Sequence, residues 1–351
     1  WLSSNLNFNG TPEFAALASA GIVKPWTEVV TPGGHKIALV GATTPLLPRI
    51  SSPGGINLLG YDPAASDEAN LVSMTSLIQA NVDAARAAGA KTVVLMSHLQ
   101  NWNNERNVVV PRLTGVDVVL SGGGHELMAG DSDTLIPSGA PAFAPGRDIA
   151  GLPQLVADAG GRLVPVVTSN FGNRYVGELN ITVDPATGEI TSIDGARMLR
   201  VSGNPADADA VAGDSFLKTA VVDPVKAYVD VLNATRIGTA EVLLNGERGS
   251  AGAPGSFAAG VRNAETNLGN LVADALRHAA GAQVALQNGG GIRASIAAGD
   301  VTVGDTFNTL TFTNVVQRAE SVNAHQLKAL LEHGVAAASP SGAVNGRFPQ
   351  I

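Results

Sequence analysis

The apolar and polar positions of this chain follow two different periods, and the changes between them mark its elements. In the first half, short continuous apolar runs stand between helical stretches. His35–Val40 reads as a strand ending at Gly41. Leu71–Ala88 carries apolar residues at helical spacing, with several alanines. Thr92–Met96 is a compact apolar run ending at Ser97-His98, and Val116–Leu120 is another, ending at Ser121-Gly122-Gly123-Gly124-His125. Leu163–Thr168 behaves similarly and ends at Ser169-Asn170. Continuous β-branched runs separated by helices predict buried strands in βαβ units. Residues 175–194 change character. Tyr175–Val183, the turn Pro185-Ala186-Thr187-Gly188 and Glu189–Ile193 predict an antiparallel hairpin.

The second half is punctuated differently. Residues 202–222 are rich in Asp, Ala, Gly and Ser, which predicts a linker or exposed connection. Asp223–Ala234 reads as a helix with Asp223 as its N-cap and Pro224 at the first helical position. Residues 245–260 form a Gly/Ala/Ser-rich loop. Glu265–Ala280 is a strong helix, with Thr266 or Asn263 as its cap, and Val284–Leu286 is a short strand running into Asn288-Gly289-Gly290-Gly291-Ile292-Arg293. The pattern divides the chain into an N-terminal α/β domain over 1–205, a linker and helix over 206–235, and a C-terminal domain over 236–351. No internal repeat is visible.

Composition narrows the functions open to the chain. At 351 residues it is long for one domain and natural for two. Charged residues make up 15%, against roughly 25% in an average domain, which suits large cores under a mildly polar surface. The formal net charge of −8 argues against a nucleic acid polymer as partner, because phosphate backbones need clustered Lys and Arg. There is no apolar run of membrane-spanning length. Cysteine is absent, which removes thiol catalysis, disulfides and Cys-ligated metals. The start Trp1-Leu2-Ser3-Ser4-Asn5 has neither an initiator Met nor a signal-peptide pattern, so a processed or cut N-terminus is expected.

Three groups of residues could carry chemistry. In an open α/β sheet, ligands sit beyond the carboxyl ends of parallel strands, and His98, His125 and Asn170 stand there. Two histidines on neighbouring strand ends can meet one metal ion through neutral imidazoles. They can equally be loop residues bonded to carbonyls. A hydrolytic two-metal centre also needs carboxylates, and no Asp or Glu stands at the other predicted strand ends. The second group is Asn288–Arg293. Consecutive glycines can offer backbone N–H groups to an anion, and Arg293 adds a planar cationic fork. Arg262 precedes a helix N-terminus, another anion-favouring place. The alternative is a glycine turn beside a surface arginine. The third is Phe312, either a stacking face for a planar base or a core residue between Leu310 and Val315.

These residues resemble a known family. Val261–Leu276, Gln287–Arg293, Ala298-Gly299-Asp300-Val301-Thr302 and Thr311-Phe312-Thr313-Asn314 follow, in order and spacing, the motifs of the 5′-nucleotidase C-terminal domain. Thr311 stands where that family usually has Pro, and Phe348 with Gln350 looks like its later "F-x-Q" element. The N-terminal half resembles the end of the calcineurin-like metallophosphatase domain that precedes it there. Leu2–Leu6 looks like a strand motif of that domain, and Ser97-His98 and Gly123-Gly124-His125 look like two of its ligand motifs. The resemblance implies a partial metallophosphoesterase α/β/β/α sandwich, a linker helix acting as a hinge, and a partial α/β substrate-binding domain.

By the same resemblance, His98 and His125 would bind a metal ion. Arg262 and Arg293 would hold the substrate phosphate, Asn288, Gly290 and Gly291 would line the site with Asn288 on the base or ribose side, and Phe312 would face the base. Two divalent ions, Zn, Mn or similar, are implied. The catalytic residues and the remaining metal ligands would lie upstream of Trp1, so the chain reads as a fragment that is inactive by itself. Leu127 stands where the family has His or Gln. The implied activity is hydrolysis of nucleotide phosphoesters, first of nucleoside 5′-monophosphates. The alternatives are 2′,3′-cyclic nucleotide phosphodiesterase, UDP-sugar hydrolase, and nucleotide binding without catalysis. The partner would be a small-molecule nucleotide, and the location periplasmic, secreted or cell-wall-associated.

Overall fold

The computed structural model describes residues 1–351 except 52, 137–147, 313–314 and 337. Thr313 and Asn314 of the Thr311–Asn314 motif therefore lie outside the described residues. The chain is mixed α/β and divides into two compact units, Trp1–Ala212 and Gly213–Ile351.

The first unit is built on a six-stranded sheet. Its strands run, across the sheet, Trp26–Val30, Lys36–Thr43, Thr92–His98, Val118–Gly122, Leu163–Val167 and Gln154–Ala157. The four inner strands are mutually parallel and the two outer ones antiparallel to them. The predicted apolar runs thus became strands, with ends displaced by no more than three residues. The helix Asp67–Ala87 covers the sheet. Ser66 caps it by accepting from the Ala69 N–H at 3.1 Å, with Asp67 and Glu68 in the first turn, and it buries Leu71, Met74, Ile78, Val82 and Ala85. These join Val40, Val93, Leu95, Val119 and Val166 in one core. The hairpin is longer than predicted, Tyr175–Val183 pairing with Ile190–Arg200 through two register shifts.

Parallel strands place their carboxyl ends together, and those ends position the site. Thr43, His98, Gly122 and Val167 close the four inner strands. At the first of them Asn5, 1% exposed, donates from Nδ2 to the Thr43 carbonyl at 2.8 Å and accepts from its N–H at 2.9 Å. At the second, His98 lies in register with Gly122.

The second unit begins with helical structure where the sequence predicts a linker. Asp214, not Asp223, caps it, accepting from the Leu217 N–H at 2.8 Å. Ser215–Leu217, the wider turn Lys218–Val222 and Asp223–Ala234 follow without a break, so Asp223 lies inside a helical run and its carboxylate takes Lys218 Nζ at 2.7 Å. The helix Asn267–Ala280 starts on Thr266, whose hydroxyl accepts from Gly269 N–H at 3.0 Å, and stops at Gly281 in the left-handed conformation, φ 58°. Leu268 and Val272 pack on Val261, Ile292 and Ile296. Val284–Leu286 is not a strand. Pairing begins only at Gln287–Asn288, which lie antiparallel to Pro349–Gln350. Arg236–Ala240 pairs with Gly299–Thr302.

Candidate functional site

Two groups of side chains stand out, one in each unit. In the first unit both predicted histidines sit at the carboxyl edge of the sheet and both are exposed. The His98 ring lies against a glycine: a Cβ at Gly123 would come within 2.7 Å of His98 Nε2. His125 sits at φ 65°, a left-handed conformation uncommon outside glycine, directly after the glycine-rich loop. Its ring centre is 5.0 Å from that of Phe171, and the Arg174 guanidinium lies 4.4 Å from the same Phe171 ring in a cation–π contact. Asn170, also at positive φ, donates from Nδ2 to the His125 carbonyl at 2.9 Å.

The donor set suits a divalent ion only in part. Neither imidazole is hydrogen bonded to another described residue, so both keep ring nitrogens for a ligand. Among the described residues, however, no group of three or more His, Asp or Glu gathers. Leu127 is turned inward, 2% exposed, against Ala129, Tyr175 and Met198. Glu126 beside it keeps one carboxylate oxygen, Oε2, without a hydrogen-bond partner. It is buried, and its Oε1 accepts from the Trp102 N–H at 3.3 Å. Behind the same edge lies Glu105, which sequence reasoning missed. It is fully buried, accepts from Ser97 Oγ at 2.5 Å, and burial pushes its pKa up to about 7 despite that bond.

In the second unit the loop before the helix Asn267–Ala280 and the Asn288–Arg293 turn come together. Gly290 N–H donates to the Gly346 carbonyl at 2.7 Å and Asn345 N–H to the Arg262 carbonyl at 2.9 Å, so residues 345–346 bridge the two. Asn288 reaches the same Gly346 carbonyl at 3.3 Å. Two of the three glycines do not serve as predicted. The N–H groups of Gly289 and Gly290 are taken by the Phe348 and Gly346 carbonyls and are not available to an anion. Their lack of Cβ serves packing instead. A Cβ at Gly289 would collide with the Val261 carbonyl, one at Gly290 would lie 2.8 Å from the Gly346 oxygen, and one at Gly291 would collide with the Gln287 side chain.

What remains for an anion is charge. Burial holds the Arg262 guanidinium below its ordinary pKa, and the positive charges of Arg248 and Arg293 lower it further. Arg262 Nε is buried without a hydrogen-bond partner. Among the described residues none of the three arginines forms an ion pair with a carboxylate. Arg293 is held by a 3.3 Å bond to the Gly290 carbonyl and lies 5.5 Å from the centre of the Phe312 ring. Phe312 is exposed rather than part of the core. Arg248 had no signal in the sequence, since it stands in a glycine-rich loop and only the fold brings its charge near Arg262.

Comparison with known proteins gives this unit its family. Residues 236–351 match the family model described as 5′-nucleotidase, C-terminal domain. The similarity to 5′-nucleotidases extends through the first unit as well. The chain is 26% identical over 307 residues to the snake venom 5′-nucleotidase of Naja atra, an alignment covering 84% of this chain and 49% of that protein. It is 25% identical over 322 residues to the trifunctional nucleotide phosphoesterase protein YfkN of Bacillus subtilis, covering 91% of this chain and 18% of the relative. The crystal structure of the 5′-nucleotidase precursor from Thermus thermophilus superposes with a TM-score of 0.64 at 29% identity, over 99% of this chain and 59% of that one. The chain thus spans less than two thirds of the length of each of these relatives. The motif resemblance read from the sequence, and the α/β fold it implies, agree with these matches.

Proposed function

We propose that this chain takes part in metal-dependent hydrolysis of nucleotide phosphoesters, nucleoside 5′-monophosphates foremost. The observation that carries the reading is the set Arg248, Arg262 and Arg293: the charges of Arg248 and Arg293 act on Arg262, and among the described residues none of the three forms an ion pair with a carboxylate. Like charges left uncompensated favour binding of a dianion, and their planar forks suit phosphate. Arg262 and Arg293 hold the phosphate, with Arg248 adding charge beside them. Asn288 serves the base or ribose side, and Phe312, which Arg293 approaches, gives the base a stacking face. His98 and His125 bind a divalent ion, one of two in the whole protein. Such an ion supplies Lewis-acid polarisation of a phosphoryl oxygen and an activated water. Cyclic 2′,3′-phosphodiesters and UDP-sugars fit the same site chemistry and are the alternative substrates. The helix Asp223–Ala234 as a hinge, and a periplasmic, secreted or wall-associated location, belong to the same proposal.

A second reading is supported by the inward-facing Leu127: a nucleotide-binding protein whose metal site is degraded. Two measurements on the protein encoded by the complete gene separate the readings. Phosphate release from AMP with Mn²⁺ or Zn²⁺, and two bound ions per chain, are expected from the hydrolase. Tight nucleotide binding with no bound metal and no release from any nucleotide would favour the binder.

A further inference from the structure

Arg262 is held where its own electrostatics oppose it. Its guanidinium is partly desolvated and faces two like charges, and its buried Nε has no acceptor. A flexible arginine on a free loop would swing outward to water. Something must therefore fix the backbone on either side of it.

Gln350 does so. Its side chain is fully buried and spends its hydrogen-bonding capacity on the loop that carries Arg262. Nε2 donates to the Val261 carbonyl at 3.0 Å and to the Ala264 carbonyl at 2.7 Å, and Oε1 accepts from the Thr266 N–H at 3.1 Å. These three points bracket Arg262 from one residue before it to four after it. The backbone of Gln350 is in register with Gln287, in the strand pair that leads directly into Asn288 and the glycine turn before Arg293. Gly269 belongs to the same arrangement, since a Cβ there would collide with the Gln350 side chain. One residue thus ties the Arg262 loop, through its side chain, to the Arg293 turn, through its backbone.

We propose that Gln350 is a positioning residue for phosphate binding, acting through Arg262 by fixing the 261–266 loop against the strand that leads to Arg293. This rests on the reading of the arginines as a phosphate site. The test is calorimetric titration of the chain with AMP and with adenosine, for the wild type, Gln350→Met, Gln350→Asn, Arg262→Ala and the Arg262→Ala/Gln350→Met double variant. Met keeps the volume and removes the donors, while Asn keeps the amide and shortens its reach. The expected result is a wild-type preference for AMP over adenosine that falls about tenfold in both Gln350 variants, with adenosine affinity unchanged. The double variant should bind AMP no more weakly than Arg262→Ala, because the two substitutions remove one interaction.

The proposal is overturned if both Gln350 variants keep the wild-type preference, if AMP and adenosine weaken alike, or if the double variant shows additive losses. A Gln350→Met chain that does not fold also overturns it, making Gln350 a folding residue instead. If the wild type itself binds AMP and adenosine equally, the phosphate reading fails first and the role of Gln350 with it.

Discussion

The guanidinium carbon of Arg293 lies 5.5 Å from the centre of the Phe312 ring, so one residue of the charged cluster is in contact with the exposed aromatic face. Base–aromatic stacking contributes about 1–3 kcal/mol per base. Phe312→Leu should therefore weaken AMP and adenosine alike, by roughly tenfold or more. Arg293→Ala should weaken AMP far more than adenosine, because it removes charge aimed at phosphate. Calorimetry with the two ligands separates these effects.

The glycine turn is expected to fail by collision. A Cβ at Gly289 would meet the Val261 carbonyl, which is backbone and cannot rotate away. Gly289→Ala should destabilise the second unit by about 1–3 kcal/mol, as overpacking generally does. Gly290→Ala should act in the same direction, with the Gly346 oxygen 2.8 Å from the new methyl. Thermal melts followed by circular dichroism check both, and unchanged melting would remove the packing explanation of these glycines.

Metal uptake should depend on the ring beside His125 as well as on the imidazoles. Residues that orient a metal ligand commonly change affinity by about 10–100-fold when altered. His98→Ala and His125→Ala should each sharply reduce Zn²⁺ binding. Phe171→Leu should reduce it by about tenfold, because the ring 5.0 Å from His125 no longer restrains it. Competition with a chromogenic chelator gives the constants without an activity assay.

Glu105 should make stability depend on pH. Its carboxyl is pushed up to about 7 in the folded chain by burial, from 4.5 when exposed. Between those values the folded state binds a proton that the unfolded state has lost, so stability falls as pH rises from about 4.5 to about 7 and is flat above. At about 1.4 kcal/mol per pH unit, the loss approaches ~3 kcal/mol. Glu105→Gln removes the titrating group. The difference in urea midpoint between variant and wild type should grow in the variant's favour from pH 5 to pH 8. A difference independent of pH would contradict the assignment.

Much of this organisation was legible in the residue pattern, for physical reasons that differ by region. Thr92–His98 and Val118–Gly122 announced themselves because strands of a parallel sheet read as continuous apolar runs, although Met96 and Leu120 on one face are exposed. The helix Asn267–Ala280 did so through its Thr266 cap and apolar spacing. The helical start at Ser215 did not, because its Asp, Ala and Ser composition is also that of a loop and its cap lies at Asp214. Val284–Leu286 looked like a strand locally, but the structure pairs only Gln287 and Asn288, with Pro349–Gln350, and pairing with a distant segment cannot be read from a local run. In the candidate site, His98, His125, Arg262, Arg293 and Phe312 were visible as residue types in context. The role of the glycines was not, because whether an N–H is free depends on carbonyls at 346 and 348. Arg248, and the buried contacts of Gln350, emerge only when the fold sets distant segments side by side.

That the arginine cluster receives a nucleotide phosphate is tested most directly by a crystal structure of the chain grown with AMP. The expected result is the phosphate within hydrogen-bonding distance of Arg262 and Arg293, and the adenine stacked on Phe312. AMP bound with its phosphate away from all three arginines, while they keep the arrangement described, would contradict it.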